Sequence, residues 1–265
     1  MSQARPVMSY DVHGTQSWVD LASPDSEVSK AFYCGLFGWD SYTLAFSGFS
    51  DYEILTEGAS GPGIAGVQAL ADDTESPSWT CVFRVDDVDA CVGTVEAAGG
   101  RCRVDPTDVA QMARIAQFAD PQGAEFGVWQ PGPSGETTVI GDRSAACFVE
   151  LACRDLAEAG RFYGRVFGWS VMDADDGHPA WTRWKVGDQL VAGGVAMDDS
   201  RPADRPSQWT PYFDVPDCDA ATGRAVELGA RVRVPPADID LGRFSIMTDP
   251  TGVRFALIAL AGPDR

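Results

Sequence analysis

At 265 residues the chain has the length of two ordinary domains, and 45% apolar against 22% charged residues is a globular balance, which excludes a disordered or fibrous chain. Lys plus Arg number 20 and Asp plus Glu 39, so the formal charge is −19 and neither a nucleic acid backbone nor an anionic membrane is an expected partner. No run approaches the ~18 apolar residues of a membrane helix and the opening MSQARPVMSYDVHG has no apolar signal core, so a cytoplasmic protein is expected.

In chain order, Trp18-Val19-Asp20-Leu21 alternates as a strand, and Asp25 stands as N-cap of a helix. Val28, Ala31, Phe32, Leu36 and Trp39 fall on one face of that helix, and Gly38 ends it. Tyr42–Phe46, Tyr52–Thr56 and Ile64–Leu70 read as strands between Gly- and Ser-rich turns. The order then restarts. Trp79–Val85 is a strand, Val88, Cys91, Val92 and Val95 mark a helix, Gly99-Gly100 stops it, and three short strands end at Trp129.

The whole pattern is written twice. At an offset of 130, residues 17–40 and 147–170 share nine of 24 positions, and residues 79–108 and 209–238 share 14 of 30. After a one-residue gap DPQGAEFGVW (120–129) aligns with DPTGVRFALI (249–258). A repeat this long means two domains of one fold, predicted at 1–131 and 142–265 and joined by a Pro/Gly/Ser-rich linker at 132–141. Each half reads as two βαβββ units, an α+β architecture of curled, mainly antiparallel sheets with helices outside.

These residues resemble the vicinal oxygen chelate superfamily of glyoxalases, extradiol dioxygenases and bleomycin- or fosfomycin-resistance proteins. The resemblance covers almost the whole chain. It is carried by FYCGLFGW (32–39) and FYGRVFGW (162–169), by VDDVDA (85–90) and VPDCDA (215–220), and by the DPQG and DPTG turns (120–123, 249–252). WVDL, FGW and DPQGAEFGVWQP are similar to a two-domain actinobacterial branch labelled hydroxylase or glyoxalase-like. The resemblance implies tandem glyoxalase-like domains. It does not fix the activity, since one fold hosts unrelated chemistries.

Members of the superfamily that use a divalent metal carry His or Glu in the first strand, in the strand opening the second unit and in the last strand. The matching positions here are Trp18 and Phe148, Thr80 and Thr210, and Gly127 and Ala256. None is a metal ligand, and the chain's two histidines, His13 and His178, match no such position, so no metal or other cofactor is expected. The seven cysteines are widely spaced without a C-x-x-C pair, which reads as free thiols.

Strand parity places Asp20 on the face of Trp18 and Glu150 on that of Phe148, so each predicted cup holds an acid beside an aromatic ring. Such an acid serves proton transfer or is tied down as a structural pair. By the same parity Thr80 goes with Val82, Thr210 with Tyr212, and Gly127 with Trp129. Fused relatives build each cavity from opposite halves, which the resemblance extends to Trp18, Asp20, Thr210, Tyr212 and Ala256 in one cup and Phe148, Glu150, Thr80, Val82 and Gly127 in the other. Of the middle-strand aromatics Phe46, Phe49, Tyr52, Trp181 and Trp184, some line a cup and some fill the core, and Phe49, Tyr52, Trp181 and Trp184 join Trp18, Thr80, Val82, Trp129, Phe148 and Thr210 as expected substrate-binding residues.

The expectation is a metal-independent protein that binds an apolar or aromatic small molecule of bacterial secondary metabolism, as monomer or homodimer. It transforms that molecule by acid/base chemistry such as isomerisation, cyclisation, dehydration or ring opening, with Asp20 or Glu150 moving a proton and Tyr212 or Thr210 polarising an oxygen. The alternatives are a protein that sequesters a drug or metabolite, and a metal-dependent dioxygenase or lyase. His13, in an arm before the first strand, reads as a proton shuttle over a cup or a surface residue.

Overall fold

The computed structural model describes residues 12–44, 52–70, 76–109, 112–132, 145–172, 181–197 and 206–261. The first half runs β1 (Gln16–Ser23), α1 (Ser26–Phe37), β2 (Asp40–Leu44), β3 (Tyr52–Thr56), β4 (Gly63–Ala69), then β5 (Ser78–Arg84), α2 (Val88–Ala97), β6 (Arg101–Val109), β7 (Ala113–Ala119) and β8 (Glu125–Pro131). The second half repeats the order with β9 (Ala146–Cys153), α3 (Leu156–Phe167), β10 (Ser170–Val171), β11 (Trp181–Val186), β12 (Gln189–Ala196), β13 (Gln208–Asp214), α4 (Cys218–Glu227), β14 (Arg231–Ile239), β15 (Gly242–Thr248) and β16 (Arg254–Leu260). The four βαβββ units are therefore present, and the fold is α+β. The proposed linker at 132–141 lies outside the described residues except for Gly132.

Local chemistry explains the helix boundaries. Asp25, Asp87, Asp155 and Asp217 each hold extended backbone and accept from a backbone N–H three residues on, which satisfies a donor the helix leaves open. Gly38 and Gly168 close α1 and α3 at φ of 71° and 72°, a left-handed conformation glycine adopts without steric penalty.

Each half forms one open eight-stranded sheet, in the order β2-β3-β4-β1-β5-β8-β7-β6 and its equivalent β10-β11-β12-β9-β13-β16-β15-β14. The two units of a half join through the antiparallel pairs β1 with β5 and β9 with β13. Parallel pairing is confined to β1 with β4, β5 with β8, β9 with β12 and β13 with β16.

Exchange between halves takes place on the helix side of the sheets. Phe32 and Tyr33 of α1 pack on Phe213 and Phe255 of the second sheet, while Phe162 and Tyr163 of α3 pack on Phe126 of the first. One continuous apolar cluster therefore runs through both halves. Two hydrogen-bonded triads cross-link it. Trp79 Nε1 donates to the Tyr33 hydroxyl at 2.9 Å, which donates to Asp249 Oδ2 at 3.0 Å, and Trp209 Nε1, Tyr163 and Asp120 repeat this at 3.0 and 3.1 Å.

The repeated motifs thus bond to one another. Asp120 accepts from the backbone of Gln122 and Ala124, and Asp249 from that of Thr251 and Val253, so the DPQG and DPTG turns aim their second carboxylate oxygen at the partner half's tyrosine. The opposite face of each sheet carries its own small cluster, around Trp18, Ile54, Val82, Ala113 and Trp129 in the first half and Phe148, Tyr212, Ile246, Ala256 and Ile258 in the second. These clusters lie on the faces where the sequence places the two cups.

Two expectations are corrected here. Each cup is built within its own half, because β1 registers Trp18 with Val82 and Asp20 with Thr80, while β9 registers Phe148 with Tyr212 and Glu150 with Thr210. His13 does not reach over a cup. Its ring lies edge-on to Phe167, 3.5 Å from Asp86 Oδ2 and 3.4 Å from the Val166 carbonyl, at the join of the halves. No described helix is long and apolar enough to cross a membrane.

Candidate functional site

In the first cup β1 presents Trp18 and Asp20, β5 presents Thr80 and Val82, β8 presents Gly127 and Trp129, and β3 presents Tyr52 and Ile54. Trp18, Ile54, Val82 and Trp129 are buried, whereas Asp20, Tyr52 and Thr80 keep some access to solvent. Tyr52 donates a hydrogen bond to Asp20 Oδ1. The Trp18 indole donates to the Tyr52 hydroxyl at 3.1 Å and to the same carboxylate oxygen at 3.4 Å.

Asp20 therefore sits among neutral donors. Burial pushes its carboxyl above the ordinary aspartate value, opposed by the hydrogen bonds from Tyr52 and Trp18. Tyr52 is raised well above a normal phenol by burial and by the neighbouring negative charge. The pair has room beside β4 because that strand has glycine there: a Cβ on Gly66 would overlap the Tyr52 hydroxyl and Asp20 Oδ1.

The second cup gathers the same three groups from different strands. Tyr212 on β13 donates to Glu150 Oε1 at 3.0 Å, and Trp181 on β11 donates to Glu150 Oε2 at 3.4 Å. Burial again raises the acid, but the positive charge of Arg254 opposes it along with the two hydrogen bonds. Arg183, which faces this cup where Ile54 faces the first, lies 4.7 Å over the Trp181 ring and bonds Asp240 at 3.3 Å. The second cup is more highly charged.

Of the predicted site residues, Trp18, Asp20, Tyr52, Thr80, Val82 and Trp129 come together in the first cup, and Phe148, Glu150, Trp181, Thr210 and Tyr212 in the second. Tyr212 is thus the partner of Glu150 and is separated from Asp20, and both cups hold a phenol. Trp184 belongs to neither. It is fully buried on the helix side, stacked 5.9 Å from Trp169 and tilted 6.2 Å from Tyr163. Phe46, Phe49 and His178 lie outside the described residues. The sequence reading missed Arg84 and Arg254, though parity with Val82 and Ala256 was available to place both on cup faces.

The donors present do not fit a divalent metal. The described carboxylates of each cup are not gathered around one point, and no described group of three or more His, Cys, Asp or Glu is arranged to hold an ion. Nor is a thiol nucleophile indicated, since burial pushes Cys91, Cys147 and Cys153 up to about 12.

Comparison with known proteins agrees with the fold and its duplication. The Glyoxalase/Bleomycin resistance protein/Dioxygenase superfamily matches residues 15–128 and the Glyoxalase-like domain family residues 148–258. The chain is 37% identical to the anthracycline biosynthesis protein DnrV of Streptomyces peucetius, covering 93% of this chain and 94% of that protein. It is 34% identical to the putative glyoxylase CFP32 of Mycobacterium bovis over 92% and 94%. Among solved structures, the 2,3-dioxygenase LapB of Pseudomonas sp. KL28 superposes with a TM-score of 0.63 at 13% identity, covering 96% of each chain. The Mn(II)-bound glyoxalase of Novosphingobium aromaticivorans gives 0.62 at 16%, covering 96% and 85%. At these identities the structural likeness concerns the fold.

Proposed function

Since the chain belongs to the glyoxalase/bleomycin resistance/dioxygenase superfamily, with its domain in two copies, we propose that it binds a flat, mostly apolar aromatic intermediate in the first cup and transforms it by metal-independent acid/base chemistry. The observation that carries this reading is the Asp20–Tyr52 pair, a carboxyl surrounded by neutral donors on a floor of Trp18, Ile54, Val82 and Trp129. Aromatic walls supply binding energy through stacking and area burial. The relatives named for anthracycline biosynthesis, at 37% and 36% identity, support an aromatic natural-product intermediate as ligand class.

In this reading the ionised Asp20 removes a proton from a carbon beside a carbonyl of the ligand. While Asp20 is ionised it holds the Tyr52 O–H. Once it carries the proton, that O–H is free to turn to the developing enolate oxygen, and Asp20 returns the proton at another position, so the net change is an isomerisation without a redox partner. Thr80, opposite Asp20 across β1 and β5, offers a second hydroxyl.

The test is turnover of a panel of polycyclic aromatic intermediates by the wild type, Asp20→Asn and Trp18→Ala. Loss of turnover with retained binding in Asp20→Asn, and weakened binding in Trp18→Ala, is expected. Unchanged ligand recovered from a saturated wild-type complex makes the protein a sequestering one, and normal turnover by Asp20→Asn rules the mechanism out.

A further inference from the structure

The two cups differ most in where they place charge. At the equivalent register of β5 and β13, the first sheet has Arg84 on β5 beside Trp129 and the second has Asp214 on β13 beside Ile258. At the acid end the signs reverse. The last strand begins with Glu125 in the first half, ion-paired to Arg103 at 3.1 Å, and with Arg254 in the second.

Arg84 lies on the same strand face as Thr80 and Val82, since Phe83 and Val128 between them point into the main core while Val82 and Trp129 belong to the cup. Its backbone is pinned on both sides, donating to the Thr15 carbonyl and accepting from Gly14 N–H, each at 2.8 Å. Its Nε is shut off from solvent and meets no acceptor among the described residues. The acid two residues on, Asp86, turns instead to His13 at 3.5 Å. A guanidinium half-withdrawn from water without an acceptor is destabilising by itself, and it presents a planar fork that matches a carboxylate or other oxyanion.

We infer that Arg84 is the anion-reading residue of the first cup, so that the ligand is an aromatic molecule bearing a carboxylate or comparable oxyanion at the end remote from Asp20. This rests on the proposed function and narrows its substrate class. Four residues of β5 separate the row of Arg84 from that of Asp20 and Thr80, about 13 Å of strand. A ligand of more than one ring spans that length, lying on Trp18, Val82 and Trp129 with its anion at Arg84 and its reacting end at Asp20. Charge orders the ligand within the cup: an anion is repelled from the Asp20 and Glu125 end and drawn to the other.

Calorimetric titration of anthraquinone-2-carboxylate and its neutral 2-hydroxymethyl analogue tests this on the wild type, Arg84→Met, Arg84→Lys, Arg254→Met and Trp18→Ala. The wild type should prefer the carboxylate by about tenfold or more. Arg84→Met should abolish the preference while binding the neutral probe normally. Arg84→Lys should keep part of it, and Arg254→Met all of it. A preference that survives in Arg84→Met, or that disappears in Arg254→Met, overturns the assignment. Equal binding of both probes to the wild type overturns it too, but leaves the aromatic cup standing. Absence of binding by either probe, or binding that Trp18→Ala does not weaken, overturns the cup reading together with it.

Discussion

Replacing Tyr33 by Phe removes one oxygen from the join between the halves and leaves the ring where it is. That oxygen accepts from Trp79 Nε1 and donates to Asp249 Oδ2, and all three side chains are at most 3% exposed. Two buried polar groups lose their partner, each at about 1–3 kcal/mol, and with partial relaxation the loss should come to about 2–4 kcal/mol. For a chain of this size each kcal/mol shifts the melting temperature by about 2–4 °C, so a fall of ~4–16 °C is expected in scanning calorimetry. Tyr163→Phe should cost as much, because Trp209 and Asp120 reproduce the triad. The double variant should be additive within about 0.5 kcal/mol, since the triads share no hydrogen-bonding residue. Both halves should melt in a single transition, as one core cluster runs through them. A Tyr33→Phe loss below about 0.5 kcal/mol, the size of an ordinary surface change, refutes the account of the triad. Two separate wild-type transitions refute the shared core.

Gly66→Ala should destabilise by about 1–3 kcal/mol and abolish ligand binding in the first cup, because the added Cβ overlaps Tyr52 and Asp20; retained binding in titration calorimetry counts against the site. Asp20 has its folded pKa raised above the unfolded 3.8, so its contribution to stability is complete below that value and is lost as pH rises through the folded one. The melting temperature of Asp20→Asn should therefore gain on the wild type as pH rises from 4 to 8, and a difference that stays constant with pH contradicts the burial argument. If Asp20 acts as base, turnover should rise with pH around a midpoint above 3.8, and a rate that falls through that range assigns it the acid's role. Dialysis against EDTA should leave melting temperature and turnover unchanged, because no three His, Cys, Asp or Glu among the described residues gather to hold an ion; a fall in either, restored by added metal, overturns the metal-independent reading.

The fold was legible in the sequence because its determinants are local and repeated. Asp25 as cap, Gly38 as stop and the period-two strands each specify their element without reference to the rest of the chain. The cups were legible only as far as parity reaches. It paired Trp18 with Asp20 correctly, but it cannot say which strand lies beside another; that came from the resemblance to fused relatives, which grouped Tyr212 with Asp20 although β13 registers against β9. Exchange between halves does exist, on the helix side, where sequence alternation carries no signal about the partner. Trp184 was misplaced for a related reason: on a strand flanked by residues of similar polarity, parity does not say which face meets the helices, and only the packing on Trp169 and Tyr163 decides it.

The repeat also separates what holds the molecule together from what the cups do. Trp79, Tyr33 and Asp249 have Trp209, Tyr163 and Asp120 at equivalent positions, as expected of a structural device inherited with the duplicated domain. The cups behave otherwise. Position for position, Trp18 corresponds to Phe148 and Val82 to Tyr212, while Tyr52 and Trp181 occupy the same register two residues from the row that faces the acid. The indole therefore comes from β1 in one cup and β11 in the other, and the phenol from β3 in one and β13 in the other, yet both converge on a half-buried carboxylate. Inheritance of position does not account for that agreement. A requirement for the group itself, a carboxyl held by a phenol and an indole in a partly dry cup, does. The charges of Arg84 and Arg254 then set the two copies of that group to different ligands or to none.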